Sequence, residues 1–563
     1  MITTTGAQII VRLLERQGIR TVAGIPGGAN LPLYDALSRS ESIRHVLARH
    51  EQGAGFIAQG LARVMGQPAV CLGTSGPGAT NILTAVADAK LDSIPLVCIT
   101  GQVPRGLIGT DAFQEVATSA MSYPVTKHSF LVRSAQELLD VIPQAFSIAI
   151  SDRPGPVWVD VPKDVQCERV ELEEWPEPGT AAPSPQFDMT QVTNAAEMIN
   201  AAQRPVLFLG GGVIHSAASP LAVELAETAA CPTATSLMGL GAIASDHPLA
   251  LGMLGMHAAR YTNLALEECD LLIAVGVRFD DRATGRVAEF CPRAKIVHVD
   301  IDASELNKIK TAHVGITGDA GRVLSELLPL VHRRQRTEWI RRVAELKRRN
   351  PLVGRGDSDT RRPYGLIHRV AELLGDDAII TTDVGQHQMW TAQAYPIRYP
   401  RQWLTSGGLG TMGFGLPTAI GAALARPNRT VACFSGDGSL LMNIQELATA
   451  VEEQLNVKII VLNNNSLGLV HQQQQMFYQR RVFAAEFQTQ TDFVAIAAGF
   501  GMQGYDLATS PNTADTLSEA LLRKGPCLIN APIDVTQHVL PMVPPGAANR
   551  DMVGGESTVE TCV

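Results

Sequence analysis

The sequence has little that would mark a nucleic-acid-binding, secreted or membrane protein. Its 46 Lys and Arg residues are outnumbered by 55 Asp and Glu residues, and a net charge of −9 lacks the basic footprint that nucleic acids require. No apolar run approaches the roughly 18 residues of a transmembrane helix. The first residues, MITTTGAQIIVRLLERQG, lack the basic and apolar regions of a signal peptide. We therefore expect a cytoplasmic protein without nucleic-acid or membrane partners.

The nine cysteines follow no functional pattern. They include no C-x-x-C pair and no repeated spacing, which argues against both a zinc site and a disulfide framework. We expect them to be small buried hydrophobic residues in a reducing compartment.

The chain of 563 residues is too long for one hydrophobic core, because single cores stop growing near about 250–300 residues. Two stretches without helical or strand periodicity, residues 168–190 and 351–363, are typical of linkers. The predicted division is a first domain over 1–170, a linker over 171–190, a second domain over 191–350, a linker over 351–363, a third domain over 364–545 and a tail over 546–563.

Each predicted domain alternates short apolar runs with amphipathic stretches. A continuous apolar run that ends in a turn signal and precedes a helical pattern is typical of a buried parallel strand. We therefore predict an α/β protein of three doubly wound parallel-sheet domains, whose ligands bind past the carboxyl ends of the strands. The runs are QPAVCLGTS and DSIPLVCITG, then RPVLFLGGG, DLLIAVGVRF and KIVHVDID, then DDAIITTDVG, RTVACFSGDG and VKIIVLNNN.

A basic run over residues 333–349 ends the second domain. Its apolar residues Trp339, Val343 and Leu346 recur at helical spacing, which predicts an amphipathic helix. Because the protein as a whole is acidic, we interpret its basic face as solvated rather than as a nucleic-acid site.

The most informative segment is GDGSLLMNIQELATAVEEQLNVKIIVLNNN, residues 436–465. Asp437 and Asn464 each follow an apolar strand, so neighbouring parallel strands would bring them to one edge of a sheet. A carboxylate, an amide oxygen, a backbone carbonyl and diphosphate oxygens form the oxygen-only site that Mg²⁺ prefers. Gly438 would allow close approach of a diphosphate, and the helix after Ser439 offers it backbone amides. This spacing is the thiamine-diphosphate fingerprint.

A second segment, RHEQGAGFIAQGLARVMG, places Glu51 between an apolar run and a helical pattern. Alone, Glu51 would be interpreted as a helix-capping acid. Beside the fingerprint it is the better candidate for the carboxyl group that thiamine chemistry needs against the aminopyrimidine ring.

Nearly the whole chain resembles the large subunits of the acetolactate synthases. The matching blocks occur in order: IPGGANLPLYDAL, RHEQGAGFIAQG, TSGPGATN, DSIPLVCITGQV, GTDAFQE, TKHSF, RPGPVWVDVPKDVQ, RFDDRATG, DVGQHQMW, SGGLGTMGFGLP and PMVPPGAAN. The resemblance implies an N-terminal pyrimidine-binding domain, a central FAD-binding domain and a C-terminal diphosphate-binding domain.

The same resemblance implies the roles of the cofactor residues. Glu51 is the activating acid, Gln386 and His387 contact the diphosphate, Met412 supports the bent form of thiamine diphosphate, and Gly410 accepts from its amino group. The implied Mg²⁺ ligands are Asp437, Asn464 and the backbone of Ser466. The implied FAD contacts are Arg153, Gly211, Gly212, His257, Arg278, Asp300 and Asp319.

The implied substrate residues are Phe113, Gln114 and Lys127 at the entrance and Arg282 at the carboxylate of the second keto acid, a task that suits a guanidinium. Without the resemblance, Arg282 would be interpreted as a surface partner of Asp280 or Asp281. Many relatives carry Trp five residues after Gly468, where this chain has Gln473. We therefore expect a weak preference for 2-ketobutyrate over pyruvate as acceptor.

The implied reaction is the decarboxylation of pyruvate and condensation of the hydroxyethyl unit with pyruvate or 2-ketobutyrate, giving 2-acetolactate or 2-aceto-2-hydroxybutyrate, the first common step of valine, leucine and isoleucine biosynthesis. The implied cofactors are thiamine diphosphate, Mg²⁺ and FAD. A homodimer or tetramer and a small regulatory subunit are the implied partners. The segment PMVPPGAANRDM is a candidate lid that excludes water.

Other functions stay open at this point. A pyruvate oxidase, or another thiamine-diphosphate decarboxylase or carboligase, shares the cofactor core, and an oxidase would use FAD as a redox partner. A non-catalytic binding protein is disfavoured by intact Glu51, Asp437 and Asn464. LGGGVI is not the G-x-G-x-x-G of a dinucleotide-dependent dehydrogenase, and TSGPGATN lacks the Lys of a phosphate-binding loop.

Overall fold

The computed structural model describes residues 1–352, 354 and 356–554. Within them the chain forms three units, each built on a six-stranded parallel sheet with helices packed on it, so the predicted fold class is confirmed. None of the described helices has the length and apolar character of a membrane span. The eight cysteines in this part of the chain are free, and all but Cys167 are buried.

The first unit holds the residues around Glu51. Its strands are β1 (Ile2–Thr5), β2 (Thr21–Gly24), β3 (Arg44–Leu47), β4 (Ala69–Gly73), β5 (Leu96–Gln102), β6 (His128–Leu131), β7 (Pro156–Pro162) and β8 (Arg169–Leu172). Its helices are α1 (Gly6–Arg16), α2 (Leu31–Leu37), α3 (Glu51–Met65), α4 (Pro77–Asp92), α5 (Thr118–Ser122), α6 (Leu138–Ile150) and α7 (Lys163–Cys167). The sheet order is β3-β2-β4-β5-β7-β6.

Part of the first predicted linker is a strand. β8 pairs with β1 in an antiparallel two-stranded sheet, and its alternate residues Val170 and Leu172 are buried. The alternation of polar and apolar residues in this strand is only four residues long. Acidic residues follow it, so the sequence pattern does not predict a strand here. The next helix begins at Met189, so the irregular connection is shorter than the sequence pattern indicates.

The second unit has sheet order β11-β10-β9-β12-β13-β14. Its strands are β9 (Pro205–Leu209), β10 (Thr233–Thr235), β11 (Ala250–Met253), β12 (Leu271–Val275), β13 (Lys295–Asp300) and β14 (Val314–Thr317). Its helices are α8 (Met189–Ala201), α9 (Gly211–His215), α10 (Ser219–Thr228), α11 (Arg260–Glu268), α12 (Asp281–Thr284), α13 (Ala320–Leu327) and α14 (Thr337–Arg349).

The third unit has sheet order β16-β15-β17-β18-β20-β19. Its strands are β15 (Ile379–Thr382), β16 (Trp403–Leu404), β17 (Val431–Gly436), β18 (Val457–Asn463), β19 (Gln503–Asp506) and β20 (Cys527–Pro532). Its helices are α15 (Pro363–Leu374), α16 (Gln386–Ala394), α17 (Gly415–Ala425), α18 (Asp437–Leu440), α19 (Glu446–Glu452), α20 (Gly468–Phe477), α21 (Phe493–Gly499) and α22 (Thr513–Leu522).

The first and third units meet where α3 crosses α17 at two glycines. A Cβ on Gly60 would lie 2.3 Å from the carbonyl oxygen of Thr418, and one on Gly421 would lie 2.0 Å from that of Ile57. Any larger residue at either position would push the two helices apart. This crossing therefore sets the distance between the element that begins with Glu51 and the sheet that carries the fingerprint.

The last described residues pack on the second unit rather than forming a free tail. Met542 and Val543 are buried, and Val543 N–H donates to Met256 O at 2.8 Å. Asn549 Nδ2 donates to Ala283 O at 2.8 Å, close to Arg282. The predicted tail over 546–563 is described only to residue 554, and residues 555–563 lie outside the described part, as do 353 and 355 of the second linker.

Helix α14 confirms the amphipathic interpretation of the basic run. Trp339, Val343 and Leu346 are buried, and Trp339 Nε1 donates to Pro205 O at 2.9 Å.

Trp339→Ala should lower the free energy of unfolding of this unit by about 3–5 kcal/mol, because it empties a filled core site. Chemical denaturation checks this. Arg341→Ala, on the exposed face of the same helix, should change it by less than about 0.5 kcal/mol, and equal effects would contradict the packing argument.

Candidate cofactor and active site

The fingerprint residues meet at the carboxyl edge of the third sheet. β17 and β18 are parallel neighbours, with Gly436 opposite Leu462, so the expectation that Asp437 and Asn464 follow adjacent strands is confirmed. Asp437 Oδ2 accepts from the backbone N–H of Ser466 at 3.1 Å. The amide nitrogen of Asn464 donates to Gln386 Oε1 at 3.0 Å, which leaves the amide oxygen for another partner.

A cavity of about 180 Å³ opens at this edge. It brings together all of the residues predicted to hold thiamine diphosphate and Mg²⁺ in this domain: Gln386, His387, Gly410, Met412, Asp437, Gly438, Ser439, Asn464 and Ser466. The helix predicted after Ser439 is broken into α18 and α19. Asn443, between them, donates through Nδ2 to Gly413 O and to Gln52 Oε1, and such side-chain bonds compete with helix formation.

Two features of this cavity fit an anionic cofactor with a metal ion. Burial lowers the pKa of His387 to about 3, and its Nε2 is buried without a hydrogen-bond partner. An unsatisfied buried nitrogen is costly, and a bound group would satisfy it. Burial raises the pKa of Asp437 to about 6. Among the described residues, no group of three or more His, Cys, Asp or Glu side chains is arranged to hold a metal ion. The predicted metal site, with one carboxylate and otherwise neutral oxygens, needs no such cluster.

The backbone over residues 412–415 is hydrogen-bonded to Asp383, a residue that the sequence analysis did not single out. Its Oδ1 accepts from Gly413 N–H at 2.8 Å and its Oδ2 from Gly415 N–H at 3.1 Å. Burial raises the pKa of Asp383 to about 6. Asp383 therefore fixes the backbone beside Met412. Its position directly after β15, at the start of DVGQHQMW, was the sequence feature that could have identified it.

A second, larger cavity of about 470 Å³ lies between the second unit and the other two, within the range of small-molecule sites. Its walls include every residue predicted to contact FAD: Arg153, Gly211, Gly212, His257, Arg278, Asp300 and Asp319. His257 Nδ1 is buried and unpartnered, and burial lowers the pKa of His257 to about 4. Arg153 donates to Glu305 at 2.8 Å and to Ser93 at 2.8 Å, which holds its guanidinium at the wall.

Arg282 and Gln473 also line this larger cavity. The Arg282 guanidinium is about two-thirds exposed and lies 3.7 Å from Asp281, a loose ion pair worth little at a surface. The alternative partner Asp280 instead accepts from the backbone N–H of Arg282 at 3.0 Å and caps α12. Gly410 and Leu469 line both cavities, so the two are neighbours.

Glu51 does not join these residues within one chain. It begins α3, and its Oε2 accepts from Asn81 Nδ2 at 2.9 Å. Neither cavity has Glu51, Phe113, Gln114 or Lys127 in its described lining. Phe113 is 88% exposed, and the backbone of Gln114 adjoins Gly76, at the start of α4. The structure of a single chain therefore separates the predicted acid from the predicted cofactor cavity.

Lys127 has a structural contact that the sequence did not reveal. Its Nζ donates to the carbonyls of Ile148 and Ser151, at 2.5 and 2.6 Å, where α6 ends. Burial lowers its pKa to about 8. In one chain Lys127 stabilises this helix terminus, which does not test its predicted place at the substrate entrance.

The start of α3 is held by a buried carboxylate of the third unit. Glu446 Oε1 accepts from the backbone N–H groups of Arg49 and His50, both at 3.0 Å, and Oε2 accepts from Thr449 Oγ1 at 2.7 Å. A Cβ on Gly53 would lie 2.3 Å from this carboxylate, so the glycine allows the approach. Sequence reasoning missed Glu446, because an acid inside a helical pattern carries no signal of a distant partner.

Glu446→Ala should lower the free energy of unfolding by about 1–3 kcal/mol, because two partly buried backbone amides lose their acceptor. It should also lower turnover, since Glu51 follows His50 directly. Urea denaturation and steady-state kinetics check both effects. The matched control is Glu452→Ala on the same helix, which removes only an exposed ion pair with Arg49 and should cost less than about 1 kcal/mol. Equal losses in the two variants would contradict the role of Glu446.

The chain is similar to known proteins over nearly its whole length. Family models of thiamine pyrophosphate enzymes match residues 4–121 (N-terminal TPP binding domain), 192–327 (central domain) and 383–531 (C-terminal TPP binding domain). The chain is 60% identical to the acetolactate synthase isozyme 1 large subunit of Escherichia coli (strain K12) over 98% of each chain. It is 46% identical to the isozyme 2 large subunit of that strain, over 97% of this chain and 99% of the relative. It is 43% identical to a chloroplastic acetolactate synthase of Arabidopsis thaliana, over 97% of this chain and 84% of the relative.

Proposed function

The chain belongs to the acetolactate synthase large subunits, within the thiamine pyrophosphate enzymes, and from this premise we propose how its residues carry out the family reaction. It is a transferase that decarboxylates pyruvate and joins the remaining two-carbon unit to a second 2-keto acid, in the biosynthesis of branched-chain amino acids. Bound thiamine diphosphate supplies the carbon nucleophile and the electron sink for this reaction. The observation that carries the residue assignment is the cavity at the β17–β18 edge, where the whole fingerprint meets an unpartnered histidine nitrogen.

In this proposal the small cavity holds the diphosphate and its metal ion. Gln386 and His387 would contact the diphosphate, and the amides after Gly438 and Ser439 would face its charge. Asp437, Asn464 and the backbone of Ser466 would bind Mg²⁺ through oxygen atoms, the donor set that this ion prefers.

The aminopyrimidine end would be held by the glycine-rich segment that follows β16. Gly410 would accept from the amino group through its carbonyl, and Met412 would pack under the ring. Asp383 holds this segment by accepting hydrogen bonds from the backbone amides of Gly413 and Gly415.

Glu51 would hold and move the proton at the aminopyrimidine ring. Asn81 Nδ2 donates to its Oε2 at 2.9 Å, which holds the carboxyl group in place and leaves its other oxygen for this task. Because Glu51 lies away from the cavity of its own chain, it would serve the cavity of a second copy. A homodimer is therefore the proposed minimal active unit.

The distribution of exposed apolar side chains supports such a dimer. Phe113 and Tyr123 are 88% and 79% exposed in the first unit, and Phe483 is 82% exposed in the third. Aromatic side chains of this size would bury a large apolar area against a second copy. A tetramer would pair two such dimers. A small regulatory subunit is a further proposed partner, since the Escherichia coli relatives are named large subunits.

FAD is the proposed occupant of the larger cavity. Arg153, Arg278 and the amide at Gly211 would contact its phosphates. Gly212, whose N–H donates to Gly276 O at 3.2 Å, would let the cofactor approach the backbone closely. Asp300 and Asp319 would accept from its hydroxyl groups. His257 would donate or accept through its free Nδ1. We propose a structural role for FAD rather than a redox role.

Arg282 would orient the second keto acid through its carboxylate, since its ion pair with Asp281 is loose and exposed. The segment over 541–552 packs beside it and would keep water from the reacting carbon, so that the two-carbon unit is not released as acetaldehyde. The entrance residues Phe113, Gln114 and Lys127 of the second copy would complete this side of the site.

Purified protein given pyruvate, thiamine diphosphate, Mg²⁺ and FAD should form acetolactate, and Glu51→Gln should lose most of this activity, because it removes the proton-holding carboxyl at nearly constant shape. Product analysis by mass spectrometry with oxygen monitoring checks this. Glu41→Gln, an exposed acid in the same unit, is the control. Acetate with oxygen uptake would instead identify an oxidase, in which FAD is a redox partner.

Gln473 should give a weak preference for 2-ketobutyrate, because a polar amide loses the apolar contact with one extra methyl group, worth about 1–3 kcal/mol. With both keto acids at equal concentration, the two products should form in comparable amounts, and Gln473→Trp should raise the share of 2-aceto-2-hydroxybutyrate. Gln475→Trp on the same helix is the matched control. A strong excess of 2-aceto-2-hydroxybutyrate from the unmodified enzyme would contradict this assignment.

A further inference from the structure

The segment over residues 405–412, here called the 405–412 loop, has no regular structure of its own. It runs from the end of β16 toward α17 as TSGGLGTM, with three glycines in eight residues. Glycine-rich backbone is conformationally free, so its shape has to be imposed by contacts with other elements. The loop carries Gly410 and Met412, and Gly410 lies in the wall of both cavities.

One end of the loop is held by Asp92, the last residue of α4 in the first unit. Its Oδ1 accepts from Gly408 N–H at 2.7 Å, and its Oδ2 accepts from Gly407 N–H at 3.1 Å. A Cβ on Gly408 would lie 2.7 Å from the Cβ of Leu91, so the loop backbone touches the helix directly. A substitution at this glycine would lift the loop away from α4.

The two sides of the loop are joined through Asp88, one turn earlier on α4. Asp88 Oδ2 accepts from Ser406 Oγ and, at 2.8 Å, from Thr411 Oγ1. Ser406 Oγ in turn accepts from Thr411 N–H at 2.9 Å. A single carboxylate oxygen therefore connects both sides of the turn that contains Gly410.

Both carboxylates share one guanidinium. Arg63 Nη2 lies 2.8 Å from Asp92 Oδ2 and 3.3 Å from Asp88 Oδ1, and all three side chains are buried. Arg63 Nη1 also donates to Thr405 O at 3.1 Å. Two buried negative charges against one positive charge leave an excess of negative charge. Within the described part of the chain, the other hydrogen-bond donors to these two carboxylates belong to the loop. The loop and the acid pair therefore depend on each other.

We propose that Asp88 and Asp92 are positioning residues of this enzyme, which hold the 405–412 loop in the shape that receives the thiamine ring at Gly410 and Met412. The proposal rests on the assignment of these two loop residues to thiamine diphosphate in the proposed function. It assigns no contact between the acids and thiamine diphosphate. Asp92 also lines the larger cavity proposed for FAD, so thiamine diphosphate binding is measured with FAD at saturation. Their effect passes through the loop backbone and the hydroxyls of Ser406 and Thr411.

The proposal predicts that Asp92→Asn weakens thiamine diphosphate binding about tenfold or more, because the amide keeps the size of the side chain but loses the charge that holds two loop amides. Quenching of intrinsic tryptophan fluorescence, with Trp390 in the cavity wall, measures the dissociation constant in saturating Mg²⁺. Thr411→Val removes one hydrogen bond at nearly constant shape and should weaken binding severalfold with little change in thermal midpoint.

A loss of fold stability is separated from loop positioning by two controls. Asp160→Asn changes another buried carboxyl of the first unit, one that accepts from Thr100 and Gln102 and not from the loop. It should lower the thermal midpoint while the dissociation constant stays within about twofold of wild type. Inorganic pyrophosphate, which competes only for the diphosphate half of the site, should bind Asp92→Asn as it binds wild type.

The outcomes are distinct. Weaker thiamine diphosphate binding with unchanged pyrophosphate binding, in both Asp92→Asn and Thr411→Val, supports loop positioning. Wild-type affinity in both variants overturns it, as does equal weakening of both ligands or the same weakening in Asp160→Asn. A wild-type protein that binds no thiamine diphosphate and forms no acetolactate would instead overturn the proposed function.

Discussion

The close crossing of α3 and α17 is the contact on which the arrangement of the first and third units of one chain depends. Gly60 and Gly421 let the two helix backbones approach to a distance that no side chain would permit. Because α3 begins at Glu51 and α17 follows the 405–412 loop, this crossing sets the position of the acid relative to the third sheet. A larger residue at either glycine would disturb both elements at once, since neither helix can move without its neighbours.

Buried carboxylates form hydrogen bonds across the contact between the first and third units that the two glycines allow. Glu446 reaches from the third unit to the backbone amides before Glu51, and Asp88 and Asp92 reach from the first unit to the 405–412 loop. Buried carboxylates are costly unless donors surround them, so each favours the arrangement of the two units in which these donors are in place. The interface between the units is therefore specified by polar geometry as well as by apolar packing.

The division of the chemistry between units has a structural reason. Parallel sheets place their polar residues past the carboxyl ends of the strands, so the diphosphate site forms at the edge of the third sheet and Glu51 at the edge of the first. Within the described part of one chain, Glu51 does not line the cavity at the edge of the third sheet. Helix α4 contacts both Glu51 and the 405–412 loop. Near its start, Asn81 donates to Glu51, and at its end Asp92 accepts from the backbone of that loop.

The sequence by itself determined the three parallel sheets and the chemistry at their edges, because both depend on local patterns. Apolar runs such as VACFS and VKIIVL are followed two residues later by Asp437 and Asn464, and this order along the chain predicts that the pair follows adjacent strands. Only the tertiary structure decided the roles of Glu446 and Asp92, whose partners lie 396 and 316 positions away along the chain. It also decided that Glu51 lies outside the cavity of its own chain. Such contacts follow from how helices cross and which glycines let them approach, and neither periodicity nor motif spacing contains that information.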